Sequence, residues 1–98
     1  MKIFILIVKI VLCKSGIEII TRDGCKYSTL MRDFLSEHDI DFTDYNTTKI
    51  GLAIKSKYGV EDSTFPAVFL NKKLIGGYTD AMASQGFMDY VQKLSANN

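Results

Sequence analysis

The stretch Thr21-Arg22-Asp23-Gly24-Cys25-Lys26-Tyr27-Ser28 decides the fold, because two different periodicities meet in it. Before it, residues 17–20 form a short, apolar, β-branched run, which is typical of a buried strand. After it, apolar residues recur at the three- and four-residue spacing of one helical face: Leu30, Met31, Phe34 and Leu35. The pattern predicts a first strand over residues 17–21 and a helix from about Lys26 to Glu37, with Cys25 at the helix N-terminus.

A cysteine in this position is a candidate nucleophile. Unpaired backbone N–H groups and the positive end of the helix dipole stabilise a thiolate there. Such a site can lower a cysteine pKa from about 8.5 to roughly 3.5–7.5. Arg22 and Lys26 add positive charge on either side of Cys25. The plain alternative is a small buried structural cysteine, but glycine, charged and aromatic neighbours favour a reactive thiol.

The composition indicates one ordinary globular domain. The chain has 98 residues, of which 47% are hydrophobic and 23% charged, and its net charge is +1. This length suffices for one modest core. No long basic run is present, so no nucleic-acid partner is predicted. Two cysteines and the single His38 are too few for a disulfide framework or a clustered zinc site, and His38 is interpreted as a solvated helix-end residue without a role.

Residues 1–15 form an apolar extension that is interrupted by Lys9 and contains Cys13. A bilayer span takes about 20 residues, so no membrane association is predicted. An extra strand or ordered extension on a cytoplasmic protein is the first interpretation, and a signal peptide of an exported or secretory protein is the second. Residues from an upstream start codon are a third. Cys13 is interpreted as a stray buried cysteine, with a displaced resolving thiol as the alternative, and the domain itself is assigned to residues 16–98.

The middle of the chain predicts a second strand and a second helix. Residues 41–45 alternate polar and aromatic side chains, which is typical of a strand. A strand, helix and strand in this order form a βαβ unit with parallel strands and a right-handed crossover. Thr47 or Thr48 can cap a helix that runs to about Tyr58 and is ended by Gly59. Four residues are predicted to face inward from this helix: Ile50, Ala53, Ile54 and Tyr58.

The last third of the chain predicts a β-hairpin and one final helix. The only proline, Pro66, lies at the start of a clear strand pattern that ends at Leu70. Residues 71–73 form the turn and residues 74–75 the returning strand. Gly76 and Gly77 allow a sharp turn and a close approach of the backbone before the helix begins. This helix is predicted to face the core through Phe87, Tyr90, Val91 and Leu94.

Three motifs in this order resemble those of glutaredoxins, the glutathione-linked branch of the thioredoxin-like fold. Residues 22–28 are similar to Lys/Arg-x-Gly-Cys-Pro-Tyr-Cys, Thr64-Phe65-Pro66 to Thr-Val-Pro, and residues 75–80 to Ile-Gly-Gly-(Tyr/Cys)-(Thr/Ser/Asp)-Asp. The resemblance covers roughly residues 17–94. It implies an α/β, thioredoxin-like domain, in which a central four-stranded mixed sheet is flanked by helices.

The resemblance also implies a glutathione site. Cys25 would attack the sulfur of a glutathione mixed disulfide, and Phe65, before a cis-proline, would offer its backbone N–H and C=O to the cysteinyl unit. Thr79 and Asp80 would meet the γ-glutamyl end, and Lys55 or Lys57 would be a further carboxylate partner. The predicted glutathione-binding residues are Arg22, Tyr27, Thr64, Phe65, Pro66, Gly77, Tyr78, Thr79 and Asp80.

Two residues depart from the dithiol pattern. Ser28 stands where dithiol members have a second cysteine, and Lys26 stands where proline is usual. A hydroxyl cannot form a disulfide with Cys25, so a natural or an engineered serine closes the dithiol route at this position. The predicted protein is a monomeric, monothiol oxidoreductase that reduces glutathionylated proteins or small disulfides, with glutathione as co-substrate.

Two alternatives to this enzyme remain open. In the first, the protein is a carrier in which two Cys25 thiolates and two glutathiones hold a [2Fe–2S] cluster, because such clusters take four thiolate ligands. Family members with Cys-Gly-Phe-Ser often carry clusters, but Lys26 and Tyr27 depart from that pattern, and no other metal ligand is predicted. In the second, the domain binds glutathione without catalysis.

Overall fold

A computed structural model of the protein describes residues 15–46, 48–60 and 64–96. The interpretations of residues 1–14, including Cys13, and the capping roles of the Thr47 and Thr48 side chains lie outside this description. No helix in the described ranges is long and apolar enough to cross a membrane. The elements in chain order are β1 Ile17–Ile20, α1 Lys26–Glu37, β2 Thr43–Tyr45, α2 Thr48–Lys57, β3 Ala67–Leu70, β4 Lys73–Gly76, α3 Tyr78–Ala83 and α4 Gln85–Ala96.

The strands form one four-stranded mixed sheet in the order β2-β1-β3-β4. β1 runs parallel to β2 and antiparallel to β3, which pairs antiparallel with β4. The predicted βαβ unit and hairpin are therefore present, and α1 has the predicted bounds. β2 is shorter than the predicted residues 41–45, because its pairing with β1 begins at Thr43, and the half-buried Phe42 packs against the core instead.

Helices cover both faces of the sheet, as the alternation of side chains along β1 requires. Ile17 and Ile19 point to one face, where a single cluster joins the sheet to α1, α3 and α4 through Met31, Leu35, Val68, Ala81, Phe87 and Val91. Ile20 points to the other face, where it forms a smaller cluster with Ala67 and Phe69 that α2 covers. The two clusters fix α1 and α2 on opposite sides of β1.

The inward face of α2 differs from the prediction. Ile54 and Tyr58 pack against the sheet as expected, but Ile50 is 51% exposed and Ala53 is also exposed. Gly51 lies so close to the sheet that a Cβ there would come within 2.7 Å of the Ile20 Cγ2. The contact stripe is therefore centred on a glycine, which a search for apolar side chains overlooks.

The last part of the chain forms two helices where one was predicted. Ser84 is extended, with φ −81° and ψ 115°, and its N–H donates to the Ala81 carbonyl, so α3 ends there. Its hydroxyl accepts the Phe87 N–H at 3.2 Å and caps α4. Ser84 thus ends one helix and begins the next, while Phe87 and Val91 are buried as predicted.

Candidate active site

Cys25 occupies the predicted position at the N-terminus of α1. It is the N-cap residue, with φ −89° and ψ 118°. Gly24 before it has a φ of +81°, a conformation that favours glycine, and the Cys25 N–H donates to the Arg22 carbonyl at 3.2 Å. The partly buried thiol donates to the Phe65 carbonyl, with 3.7 Å between sulfur and oxygen. This tight turn brings the sulfur to the start of β3.

The pKa of Cys25 is lowered from its ordinary value, mainly by a hydrogen bond from the Ser28 side chain. The backbone N–H groups of Ser28 and Tyr27 and the charge of Arg22 lower it further, while burial acts in the opposite direction. The helix N-terminus and Arg22 therefore act as predicted. Lys26, which was expected to contribute, is not among the groups that shift the pKa, because its exposed ammonium is solvated. The Ser28 hydroxyl was not anticipated.

Lys26→Ala is accordingly expected to leave the reactivity of Cys25 almost unchanged. Exposed charge pairs contribute under about 1 kcal/mol, and the backbone donors at Cys25 are fixed by the fold. We expect the alkylation rate with iodoacetamide at pH 6 to fall by less than about fivefold. The pH dependence of alkylation measures this directly, and a much larger fall would show that the Lys26 charge, rather than the helix terminus, sustains the thiolate.

Phe65 lies just before β3, and its ring contacts two cations. Its peptide bond to the buried Pro66 is cis, as the resemblance implied. The Lys55 ammonium lies 3.8 Å from the centroid of the Phe65 ring, and the Arg22 guanidinium carbon lies 5.4 Å from it. Cations at these distances are attracted to the ring face. The same Lys55 ammonium donates to the Thr64 carbonyl at 3.3 Å, so it anchors both residues before the proline.

The two lysines predicted as carboxylate partners have different surroundings. Lys55 is only 1% exposed, and burial followed by the charge of Arg22 lowers the pKa of its ammonium. Lys57 is exposed, and its ammonium lies 5.9 Å from the centroid of the Tyr58 ring. Only Lys55 therefore contacts the Phe65 segment.

A groove of about 310 Å³ is lined by Phe65, whose carbonyl the Cys25 thiol contacts. Seven of the nine predicted binding residues line it: Tyr27, Thr64, Phe65, Gly77, Tyr78, Thr79 and Asp80. The other two adjoin Phe65, since Arg22 lies against its ring and Pro66 follows it in the chain. Tyr27 and Tyr78 both line the groove and contact each other, with 5.8 Å between their ring centroids. The structure thus brings all three motifs together.

The double glycine positions Asp80 at the end of this groove. Gly76 has a φ of +136°, and a Cβ there would come within 2.5 Å of the Asp80 Oδ2. The Gly77 N–H donates to the same Oδ2 at 3.3 Å. A Cβ on Gly77 would lie 3.2 Å from the Thr64 hydroxyl. The close approach predicted from the two glycines is therefore present, and the segment that carries Thr64 meets the start of α3 there.

Three polar side chains form a ring at the start of the turn that carries Cys25. Arg32 donates through Nε to Asp44 at 2.7 Å and through Nη2 to the Thr21 hydroxyl at 2.5 Å. Thr21, which is fully buried, donates in turn to Asp44 at 2.6 Å. Arg32 is therefore half-buried, although a charged residue outside the apolar stripe of a helix usually faces solvent. The ring joins Arg32 of α1 and Asp44 of β2 to Thr21, the residue after β1, and so fixes the residue that precedes Arg22.

Metal ligands are sparse in the part of the chain that the structure describes. It contains no group of three or more histidine, cysteine, aspartate or glutamate side chains placed to hold a metal ion. Cys25 is the one thiol in these ranges, whereas an iron–sulfur cluster takes four thiolate ligands. The described residues of one chain therefore do not form a cluster site by themselves.

The fold and the site define a thioredoxin-like α/β protein with a cysteine at a helix N-terminus and a groove beside it. The glutaredoxin family model matches residues 17–75, which is more than half of the chain. The chain therefore belongs to the glutaredoxin family, and this membership supports a thiol oxidoreductase role related to glutathione. A search of curated proteins found no match.

Solved structures of glutaredoxins share this fold. The chain is similar to a buckwheat glutaredoxin–glutathione complex, with a TM-score of 0.61 and 15% identity over 97% of this chain and 93% of that one. It is similar to glutaredoxin 1 from Francisella tularensis complexed with cacodylate, with a TM-score of 0.57 and 27% identity over 74% of this chain and 93% of that one. A dithiolic glutaredoxin from Trypanosoma brucei brucei gives a TM-score of 0.62 at 18% identity, over 90% of this chain and 94% of that one.

Proposed function

We propose that this glutaredoxin reduces glutathione mixed disulfides by a monothiol mechanism. The observation that carries the proposal is the position of the Cys25 thiol next to a residue that lines the groove. The Cys25 sulfur lies 3.7 Å from the Phe65 carbonyl, and Phe65 itself lines the groove of about 310 Å³. A small peptide bound along Phe65 would therefore have its sulfur next to Cys25.

The charges around the groove suit the two ends of glutathione. Asp80 offers a carboxylate to the γ-glutamyl ammonium at one end. Arg22 offers a guanidinium to the glycyl carboxylate beside Phe65. Between them, the backbone of Phe65 pairs with the cysteinyl unit in the manner of an added strand. The buckwheat structure, a glutaredoxin–glutathione complex, supports this choice of ligand.

The first proposed step transfers the glutathionyl group to Cys25. The Cys25 thiolate attacks the glutathionyl sulfur of the mixed disulfide, and a new sulfur–sulfur bond forms as the old one breaks. The electron pair of the broken bond leaves on the substrate sulfur, which takes a proton from water. The lowered pKa of Cys25 increases the share of thiolate that is available for this attack.

The second step regenerates the enzyme without another protein thiol. A second glutathione, as its thiolate, attacks the glutathionyl sulfur bound to Cys25. The products are oxidised glutathione and the Cys25 thiolate. Ser28 offers no sulfur for an internal disulfide, so glutathione is the resolving thiol in this proposal. One thiolate and one groove complete the cycle, and the proposed functional unit is a monomer.

The proposal is tested by turnover of a glutathionylated peptide in the presence of glutathione, with Asp80→Asn as a probe of the groove. This substitution removes the charge that faces the ammonium but keeps an oxygen that can accept the Gly77 N–H. A charge-assisted hydrogen bond contributes about 1.5–3 kcal/mol, so we expect KM for the peptide to rise by about tenfold with little change in kcat.

Asp89→Asn is the matched control. Asp89 is an exposed carboxylate on α4 that accepts a hydrogen bond from Gln85 and does not line the groove. It is expected to leave KM unchanged. Equal kinetics for the Asp80 and Asp89 variants would refute the assigned role of Asp80, and no turnover by the unmodified protein would refute the enzymatic proposal itself.

A further inference from the structure

We propose that Lys55 is a positioning residue of the groove, which acts on the bound glutathionyl group through Phe65 and does not contact its glycyl carboxylate. The buried ammonium holds the Thr64–Phe65 segment, along which the proposed ligand pairs. This role rests on the function proposed above. It differs from the direct carboxylate contact that the resemblance implied for Lys55.

The packing of α2 turns Lys55 toward the sheet. Gly51 and Lys55 are four residues apart, so they lie on the same face of the helix. Both are buried, whereas Lys49 and Lys57 of the same helix are exposed. Gly51 brings this face against Ile20 of β1, because it has no Cβ to hold the helix away. The Lys55 ammonium therefore reaches the residues that precede β3.

Two contacts join this ammonium to the segment before Pro66. It donates to the Thr64 carbonyl, with 3.3 Å between nitrogen and oxygen, and it lies 3.8 Å from the centroid of the Phe65 ring. Burying a charge is costly unless partners replace the lost water, and the attraction between a cation and a ring face is stronger where both are desolvated. One contact holds the backbone of Thr64 and the other holds the side chain of Phe65, so the Lys55 charge helps to fix the conformation of both residues.

The accessibility of the two cations at Phe65 separates their roles. Arg22 is exposed, so its guanidinium can meet a carboxylate of the ligand. Lys55 is only 1% exposed, and a ligand carboxylate could reach its ammonium only by displacing the residues packed around it. Burial is also the largest cause of the lowered pKa of Lys55. Arg22 is therefore the direct partner of the glycyl carboxylate, and Lys55 supports the Phe65 backbone that pairs with the cysteinyl unit.

The test compares two mixed-disulfide substrates of the full chain. One is a peptide joined to glutathione, and the other is the same peptide joined to γ-glutamylcysteine, which lacks the glycyl carboxylate. Lys55→Met keeps the apolar stem but removes the ammonium. We expect KM to rise by about three- to tenfold with both substrates, while kcat stays within about twofold. Lys49→Met, at an exposed lysine of the same helix, is the matched control and is expected to change neither KM by more than about twofold.

Three results would overturn the inference. A rise in KM that is confined to the glutathionylated peptide would show that Lys55 contacts the glycyl carboxylate. A fall in kcat with unchanged KM would show only a loss of folded enzyme. An unchanged KM for Lys55→Met, or an equal rise for Lys49→Met, would show that the Lys55 charge does not act on the groove.

A second measurement separates this inference from the proposed function. If the unmodified protein reduces neither substrate, the proposed function fails. In that case, or if Lys55→Met does not fold by circular dichroism, the NMR resonance of the Lys55 ε-methylene protons in the unmodified protein decides. The face of an aromatic ring shields nearby protons, so this resonance must lie upfield of that of Lys49 and move toward it in Phe65→Leu. Equal resonances for the two lysines would contradict the contact with Phe65 and with it the inference.

Discussion

Cys25→Ser is expected to abolish the reduction of a glutathionylated peptide, with kcat/KM falling by at least about a thousandfold. The proposed cycle passes through a disulfide at this sulfur, and a hydroxyl cannot take its place. The structure gives no substitute, because Cys25 is the one thiol in the described ranges. The Cys25 sulfur also lies beside Phe65, next to the place where the sulfur of a bound peptide is expected.

This loss is measured by the rate at which oxidised glutathione is released. The binding of glutathione is measured separately by calorimetry. Serine is nearly isosteric with cysteine, so glutathione affinity is expected to stay within about threefold. Full turnover by the variant would contradict the nucleophile assignment. Binding without turnover by the unmodified protein would support a non-catalytic glutathione-binding domain. A coloured dimer after anaerobic reconstitution with iron and sulfide would instead support a cluster carrier, in which Cys25 supplies one ligand per chain.

Local sequence patterns predicted most of the fold. The bounds of α1 follow from the apolar stripe that begins at Leu30 and from the turn at Gly24 and Cys25 that precedes the helix, so periodicity and turn chemistry agree there. The errors lie where a tertiary contact overrides the local pattern. α2 turns Gly51 toward Ile20, which leaves the more hydrophobic Ile50 exposed. The break at Ser84 depends on one hydroxyl that caps α4.

The residues of the site also fall into two groups, those that short motifs predicted and those that depend on tertiary contacts. The groove residues could be named in advance because three short motifs carry them, and the sheet order β2-β1-β3-β4 brings those motifs together. The influence of Ser28 on the pKa of Cys25 could not be named, because it depends on the complete burial of Ser28 and on its place beside the Arg22 N–H. The ring of Thr21, Arg32 and Asp44 joins residues up to 23 positions apart, and no local pattern marks such a contact.

Arg32→Met is expected to lower the free energy of unfolding by about 1–3 kcal/mol. Methionine keeps the apolar stem but leaves the Asp44 carboxylate without its cation. It also leaves the buried Thr21 hydroxyl without the donor at 2.5 Å. The loss should be smaller than the cost of breaking a fully buried ion pair, which is about 3–5 kcal/mol, since the Arg32 and Asp44 side chains are 26% and 22% exposed. Urea denaturation monitored by circular dichroism measures the difference.

Asp33→Ala is the matched control for this prediction, because Asp33 is an exposed charged residue at the next position of α1. We expect its effect to stay within about 0.5 kcal/mol. A double-mutant cycle with Asp44→Asn isolates the pair itself, and a coupling of about 0.5–3 kcal/mol is expected for groups in direct contact. Strictly additive losses would mean that Arg32 and Asp44 do not act together. In that case Thr21, and with it the Arg22 N–H that reaches Ser28, must be held by the backbone bond from the Thr21 N–H to the Tyr45 carbonyl.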